Sequence, residues 1–382
     1  MKGPPATDAA TVVPSLATLE QQLLARASSG AKLGLGRVRE ALTALGAPQN
    51  NMCVAHVAGT NGKGSSCAML ESIARHAGVR TGLSTSPHLR SIAERIRLNG
   101  SAIDDAALRR ALALALDQRL PPLSFFEVMT VAALAAMKQA RSELAIIEVG
   151  LGGRLDASNV VAAPQVVAVT SVARDHMPIL GDRIDAIARE KIAISRSGRP
   201  LVLGPLAPAA AEAVAAYCDR IAVGEVWQVA RSPREARHNR HRFGHRAIHC
   251  HFDGKHAHIT PPRGPSVTAT LALAGTHQAD NAAVAVGMAL LLNEPRIDAA
   301  ALKQGLEKVV WPGRMERRTR AGVTVWLDCA HNPHAAAALC QLLARMPRPR
   351  RRALVFGAMA DKCYENMLKF LAPWVDDCYY CP

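Results

Sequence analysis

The run HVAGTNGKGSS, His56 to Ser66, carries glycines at 59, 62 and 64, one lysine at 63, and hydroxyls at Ser65 and Ser66. Backbone N–H groups in a glycine-rich turn converge on an anion, and a helix that follows adds the positive end of its dipole. Lys63 would neutralise the outer phosphates of a nucleotide, and Ser65 would reach a phosphate oxygen or a Mg²⁺ ion. The spacing departs from G-x-x-x-x-G-K-S/T because Gly64 stands between Lys63 and Ser65. Strand, lysine, hydroxyl and helix still follow in the order phosphate binding needs. Gly59, Thr60, Asn61, Gly62, Lys63, Gly64 and Ser65 therefore read as a phosphate loop and not a plain turn. Glu148 ends the apolar run LAIIE, where an unpartnered carboxylate would be costly or protonated, so a metal ligand suits it. His176 in RDH would complete a second metal site, although a histidine taken alone is more often structural.

Short apolar runs alternate with longer helical patterns, which implies parallel strands joined by helices, an α/β fold. Strand candidates span 52–58, 80–85, 144–149, 166–172 and 199–204, with a later set at 323–329 and 353–359. Helical patterns cover 65–78, closed by Gly78, and 128–140 and 277–292. The chemically capable residues fall just past strand ends: the glycine loop, SPH (86–88), Glu148, RDH (174–176) and DCAHNPH (328–334). Ligands of open parallel sheets bind outside the carboxyl ends of the strands. The sheet reads as an enzyme scaffold.

At 382 residues the chain has room for two domains, and no apolar run nears the roughly 18 residues that span a bilayer. The first residues lack the apolar core of a secretion signal, so a cytoplasmic location is expected, with no membrane partner. Nine scattered cysteines fit reduced thiols, and Cys378 with Cys381 forms only half a zinc spacing. Lys plus Arg outnumber Asp plus Glu by 46 to 31, which suits an anionic partner. Much of the excess lies in 231–265, which also holds seven of the fourteen histidines, and in 345–353. Aromatic residues are scarce in both, so base stacking is not indicated. A solvated hairpin or loop is the expectation for 231–265.

VAGTNGKGS, STSPHL, IIEVGLGGRLDASN, SVARDH, AREK, HQADNAA, WPGRMERR and DCAHNPHA, in this order, resemble folylpolyglutamate synthase and dihydrofolate synthase of the ATP-dependent Mur ligase superfamily. The resemblance runs from near Leu33 to the end of the sequence. It implies a phosphate-loop ATPase domain with a mostly parallel sheet over 1–310, which includes an N-terminal folate-site segment. A smaller, incomplete Rossmann-like domain would cover 311–382. The implied reaction phosphorylates a pteroyl or folyl carboxylate with ATP and joins the acyl phosphate to the amino group of L-glutamate. A carboxylate oxygen is a poor leaving group, and conversion to phosphate removes that obstacle.

The resemblance also assigns residues. Ser86, Glu148 and His176 match Mg²⁺ ligands, with Ser65 beside the metal bound to ATP. Lys191 stands where the family carries a carbamylated lysine that helps hold the second of two Mg²⁺ ions, alongside a monovalent cation such as K⁺. Asn281, Arg314 and Asp328 match ATP contacts from the second half of the site, and His331 a group near the transferred phosphate. Gly153, Arg154, Leu155 and Asp156 match the pterin and folate region, as does Phe126, for which a core aromatic is an equal reading. Dihydropteroate, folates and L-glutamate are the implied substrates of a monomer that takes no nucleic acid.

The sequence departs from the family at Arg174, Met177 and Pro178, and DKC (361–363) stands where D-K-D is common. The last residues, DDCYYCP, come before the family's final strands, so an exposed sheet edge is expected. A cell-wall ligase of the same superfamily would need a nucleotide-sugar domain before the loop. A basic nucleic-acid-associated ATPase would leave Glu148, His176 and DCAHNPHA without a task. Addition of both first and later glutamates by one chain is the expected activity.

Overall fold

The computed structural model describes residues 14–27, 34–359 and 362–381. In chain order its first strands are β1 (Cys53–Ala58), β2 (Thr81–Ser84), β3 (Ile96–Leu98), β4 (Ser101–Ala102), β5 (Leu144–Glu148), β6 (Val166–Val169), β7 (Leu201–Leu203), β8 (Val226–Ala230), β9 (Arg246–Phe252), β10 (His256–Thr260) and β11 (Val267–Thr270). They form one sheet in the order β11-β10-β9-β8-β7-β6-β1-β5-β2-β3-β4. From β9 to β2 every pairing is parallel; β10, β11, β3 and β4 add antiparallel edges.

The continuous apolar character of β1, β5, β6 and β7 follows from burial on both faces. On one face Ala55, Val57, Ile146 and Val202 pack under helices Lys63–His76, Thr276–Leu291 and Ala299–Lys308. On the other, Val54, Ala145 and Ile147 meet helices Gly36–Ala44 and Phe125–Gln139, while Val167, Val169 and Leu203 meet Ile184–Ile192 and Pro208–Ile221. Helix Lys63–His76 is sandwiched so closely that a Cβ on Gly305 would lie 2.5 Å from the Ile73 Cα. The phosphate loop thus rests on a helix buried along most of its length.

The run 166–172 is strand only to Val169, which frees the residues from Thr170 to Asp175 to form loop. The stretch 231–265 contains the expected hairpin, β9 with β10, but adds a helix and buries one face of the hairpin. It supplies helix Pro233–Phe243 and strands β9 and β10, and the loop residues are its short connections, among them the Asp253–Lys255 turn and residues 261–265. Ile248, Cys250, Ala257 and Ile259 alternate with histidines and bury one face, a period-two pattern masked by the charges. Seven histidines there are compatible with a sheet because four of them, His249, His251, His256 and His258, occupy the opposite face.

Beyond Lys308 the chain builds a smaller lobe. β12 (Glu316–Arg320) and β13 (Val323–Leu327) form an antiparallel hairpin; β14 (Ala353–Phe356) and β15 (Asp377–Tyr380) form a parallel pair. The runs expected as one later set thus lie in two separate two-stranded sheets. Helices Pro333–Leu343 and Tyr364–Leu371 cover a core of Ala336, Cys340, Phe356, Met367 and Leu371. Val323, Trp326, Leu327, Val355, Tyr379 and Tyr380 stay exposed. The described cysteines are all free, and no three His, Cys, Asp or Glu side chains among the described residues form a metal-holding group. No described helix is long and apolar enough to cross a membrane.

Candidate active site

Two glycines of the loop are there for geometry. Gly59 has φ +151° and a Cβ there would lie 2.0 Å from Thr170 Oγ1; Gly62 has φ +86° and a Cβ would lie 2.1 Å from Asn281 Oδ1. The loop is strapped to the segment after β6. Thr60 N–H donates to Ser171 O (2.8 Å), Asn61 N–H to Ser171 Oγ (2.9 Å), and Thr170 Oγ1 to Asn61 O (2.7 Å). Gly64 has a different task. It lies inside the helix, and a Cβ there would come within 3.3 Å of the Trp311 ring, on the link between the lobes. The extra residue between Lys63 and Ser65 is therefore a packing glycine.

Lys63 Nζ donates to Gly59 O (3.1 Å) and Thr60 O (3.2 Å), and Lys191 Nζ donates to the same Gly59 O (3.1 Å). Burial, with Lys63 close by, lowers the Lys191 ammonium to about 7. Glu148 is 5% exposed and accepts the Ser86 N–H at Oε2 (3.0 Å). Burial pushes its carboxyl up, while Lys63, the Ser86 N–H and Arg314 pull the other way. His176, left-handed at φ +51°, is held below its ordinary value by burial, against the pull of Asp175 and with Lys362, Lys63 and Lys191 adding to it. Ser65 is buried in the first turn of the loop helix. Lys63, Glu148, His176, Lys191 and Arg314 thus share one electrostatic environment at the carboxyl ends of β1, β5 and β6.

The loop after β5 folds around Asp156, whose Oδ2 accepts the Leu151 N–H (2.8 Å) and whose Oδ1 accepts the Ser158 N–H (2.9 Å) and Oγ (2.6 Å). Ser158 Oγ in turn lies 2.9 Å from Nε2 of the fully buried His56 in β1. Gly153 abuts the backbone of Glu190, exposed Arg154 pairs with the Glu190 carboxylate (2.8 Å), and Leu155 O accepts the Gly34 N–H (3.4 Å). Phe126 is half-buried. It packs on the core under its helix and directly on Gly150, so it supports the loop from below.

Helix Thr276–Leu291 of the large lobe and the small lobe both meet this rim. Asn281 touches the loop at Gly62, accepts the Ser66 hydroxyl at its backbone oxygen (3.2 Å) and donates to Gln278 (3.0 Å). Asp328 fixes its own turn by accepting the Met315 N–H (3.0 Å) and the Ala330 N–H (2.8 Å). His331 Nε2 lies 3.4 Å from Asp175 Oδ2. Four residues outside the expected site complete the seam: Asn332, His334, Asp175 and Lys362. Asn332 and Asn61 exchange amide hydrogen bonds (2.8 and 3.3 Å), and His334 Nδ1 lies 3.1 Å from Asn61 Nδ2. The signal for Asn332 was its place before Pro333, an N-cap with proline at the first helical position; its Oδ1 accepts the Ala335 N–H (2.9 Å). Asp361 of DKC lies outside the described residues.

The Mur ligase middle-domain model matches residues 57–289, and the Mur ligase glutamate ligase domain model matches 313–382. The dihydrofolate synthase/folylpolyglutamate synthase of Bacillus subtilis (strain 168) is 35% identical over 358 residues, 91% of this chain and 80% of the relative. The enzyme of that name from Escherichia coli (strain K12) is 34% identical over 352 residues, 92% and 78%. Among solved structures, E. coli FolC in complex with DHPP and ADP superposes with a TM-score of 0.82 at 30% identity, covering 96% of this chain and 84% of that one. The chain belongs to the Mur ligase family. Within that family it falls in the dihydrofolate synthase/folylpolyglutamate synthase group, and it is an ATP-dependent ligase.

The Mur ligase site has a donor set suited to Mg²⁺. Glu148, a carboxylate whose burial raises its pKa, calls for a cation, and Ser65 and Ser86 bring hydroxyls to the same rim. Mg²⁺ uses one or two carboxylates and takes its remaining oxygens from phosphate and water, which agrees with the lack of a ready-made cage among the described residues.

Proposed function

We propose that this ligase joins L-glutamate to dihydropteroate and to reduced folates, making both the first and the later amide bonds. The observation that carries the reading is the sharing of the Gly59 carbonyl by Lys63 and Lys191, with Glu148 and His176 in their field, Arg314 acting on Glu148 and His331 reaching Asp175 from the other lobe. ATP lies with its phosphates on Gly59 to Ser65 and is contacted from the far side by Asn281, Arg314 and Asp328. Phe126 and the Gly153–Asp156 turn hold the pterin end of the acid. A substrate carboxylate oxygen attacks the γ-phosphorus and ADP leaves; the glutamate nitrogen then attacks the acyl carbon, and phosphate departs as the amide forms. Lys63 holds the transferring phosphoryl group, and His331 sits where the phosphate is released.

Ser65, Ser86, Glu148 and His176 would hold Mg²⁺, which when bound disperses charge on the phosphoryl oxygens. In our reading Lys191 carries a carbamate. Its ammonium shares one carbonyl with Lys63, and a pKa of about 7 gives a substantial fraction of neutral amine at neutral pH, the form that takes up CO₂. A monovalent cation such as K⁺ would sit with the second Mg²⁺. Residues 1–310 act as the ATPase domain and 311–382 as the glutamate ligase domain of a cytoplasmic monomer that needs no nucleic acid.

The test incubates the protein with ATP, Mg²⁺, radioactive glutamate and either dihydropteroate or tetrahydrofolate. Label should enter an amide with both acceptors, with one phosphate released per bond. Phosphate release that follows added nucleic acid and ignores the pterin would overturn the reading. ¹³C-bicarbonate should give a carbamate carbon resonance that Lys191→Met removes.

A further inference from the structure

We propose that Asp175 is a positioning residue that clamps the small lobe over the phosphate loop, with Lys362 as its charged partner. Asp175 belongs to the loop after β6, yet most of what it holds comes from the other lobe. Oδ1 pairs with Lys362 Nζ at 2.9 Å and accepts the N–H of His176 at 2.9 Å. Oδ2 accepts Asn332 Nδ2 at 3.1 Å and faces His331 Nε2 at 3.4 Å. The carboxylate is 8% exposed, and the Lys362 side chain 12%. A carboxylate so enclosed is stable only while its donors are in place. The three contacts across the seam come from residues of one lobe, so separation of the lobes breaks them together.

The clamp also has direction. The same carboxylate fixes the backbone of His176, held in a left-handed conformation, and faces His331. Closure therefore sets two groups of the site in one event, one from each lobe. The Asn61–Asn332 amide pair lies beside it and ties the phosphate loop to the same seam. Loops and lobes that close over a substrate exclude water and complete the reacting arrangement. The catalytic consequence rests on the ligase reading above; the clamp itself does not.

Small-angle scattering and steady-state kinetics of Lys362→Met, Lys362→Arg and Asp175→Asn test the proposal, with thermal unfolding as the check on folding. Lys362→Met should show a larger radius of gyration than the wild type. Its kcat should fall about 10- to 100-fold, with the KM for the pterin acid changed less than about two-fold. Lys362→Arg should recover both, and Asp175→Asn should behave like Lys362→Met. Wild-type scattering and turnover in Lys362→Met and Asp175→Asn would overturn the clamp while leaving the ligase reading intact. Expansion of the variants in a protein whose wild type makes no amide would support the clamp and sink the ligase reading instead.

Discussion

The two lobes hold their hydrophobic residues in opposite ways. In the large lobe, strands such as β1 and β5 lie under helices on both faces, and the helix that starts at Lys63 is buried along almost its whole length. In the small lobe five buried residues form the core, and every residue of β13 is exposed. The chemistry is divided along the same line: Lys63, Glu148 and Lys191 stand on the rigid side, while Arg314, Asp328 and His331 arrive on the lighter one. A heavily packed platform fixes phosphate geometry, and the lightly packed partner is held to it by the polar seam of Asp175, Lys362, Asn61 and Asn332. Position in the site should therefore govern rate, and position in the core should govern stability, differently in each lobe.

The sharpest break of that contrast is Lys63→Ala. Its side chain bonds only carbonyls of its own loop among the described residues, so the fold should persist while amide formation falls by at least about 10³-fold. Turnover together with a thermal melt checks this; ordinary turnover would remove the phosphate-loop assignment. Next comes the core. Leu70→Ala, at a fully buried position of the large lobe, should lower the main unfolding free energy by about 2–5 kcal/mol. Met367→Ala, in the small core, should leave the main transition in place and instead abolish hydrogen-exchange protection in helix Pro333–Leu343. An equal loss in the main transition for both variants would mean that the lobes unfold as one unit.

Much of the large lobe was legible because its parallel strands are unbroken apolar runs and its polar residues sit past their ends. β1, β2, β5, β6 and β7 all lie within the ranges read from sequence. β8 to β11 were not read, since alternation such as Ile248-His249-Cys250-His251 looks like a charged loop until a face is buried beneath it. The site was half legible. Lys63 and Glu148 announce themselves by motif and by burial. Asp175 and Asn332 lie in motifs legible past strand ends, but their shared task with Lys362 arises only when residues 157 and 187 positions apart in the chain meet across the seam.

A smaller effect appears on acidification. Burial, helped by Arg196, drives the His56 pKa down to about 3, and burial drives His245 to about 4. In the unfolded chain both take a proton near 6.5. The unfolded state thus binds more protons below that pH, so stability from these groups is full above about pH 6.5 and is lost as pH falls toward 3–4. Both lie in the large lobe, which should lose on the order of 3 kcal/mol from His56 by pH 4. His56→Gln, which can still bond Ser158, should flatten the slope in urea unfolding between pH 7 and 4. An unchanged slope would show that His56 does not control it.

The smallest effect is expected where the lobes are joined. Gly64 has helical backbone, so alanine there suffers no φ penalty and meets only the Trp311 ring at 3.3 Å. The indole is itself held by Arg97, whose guanidinium lies over the ring at 4.9 Å from its centroid. Gly64→Ala should therefore shift the indole by a few tenths of an ångström and lower turnover only modestly, by about two- to five-fold. Trp311→Leu in the same chain should relieve the contact and restore part of the loss. Gly62→Ala is the control, because φ +86° and Asn281 Oδ1 at 2.1 Å leave it no room; its loss should approach that of Lys63→Ala. If Gly64→Ala were as damaging as Gly62→Ala, and Trp311→Leu gave no relief, Gly64 would belong to phosphate binding after all. The joint between the lobes would then not explain the extra residue in the loop.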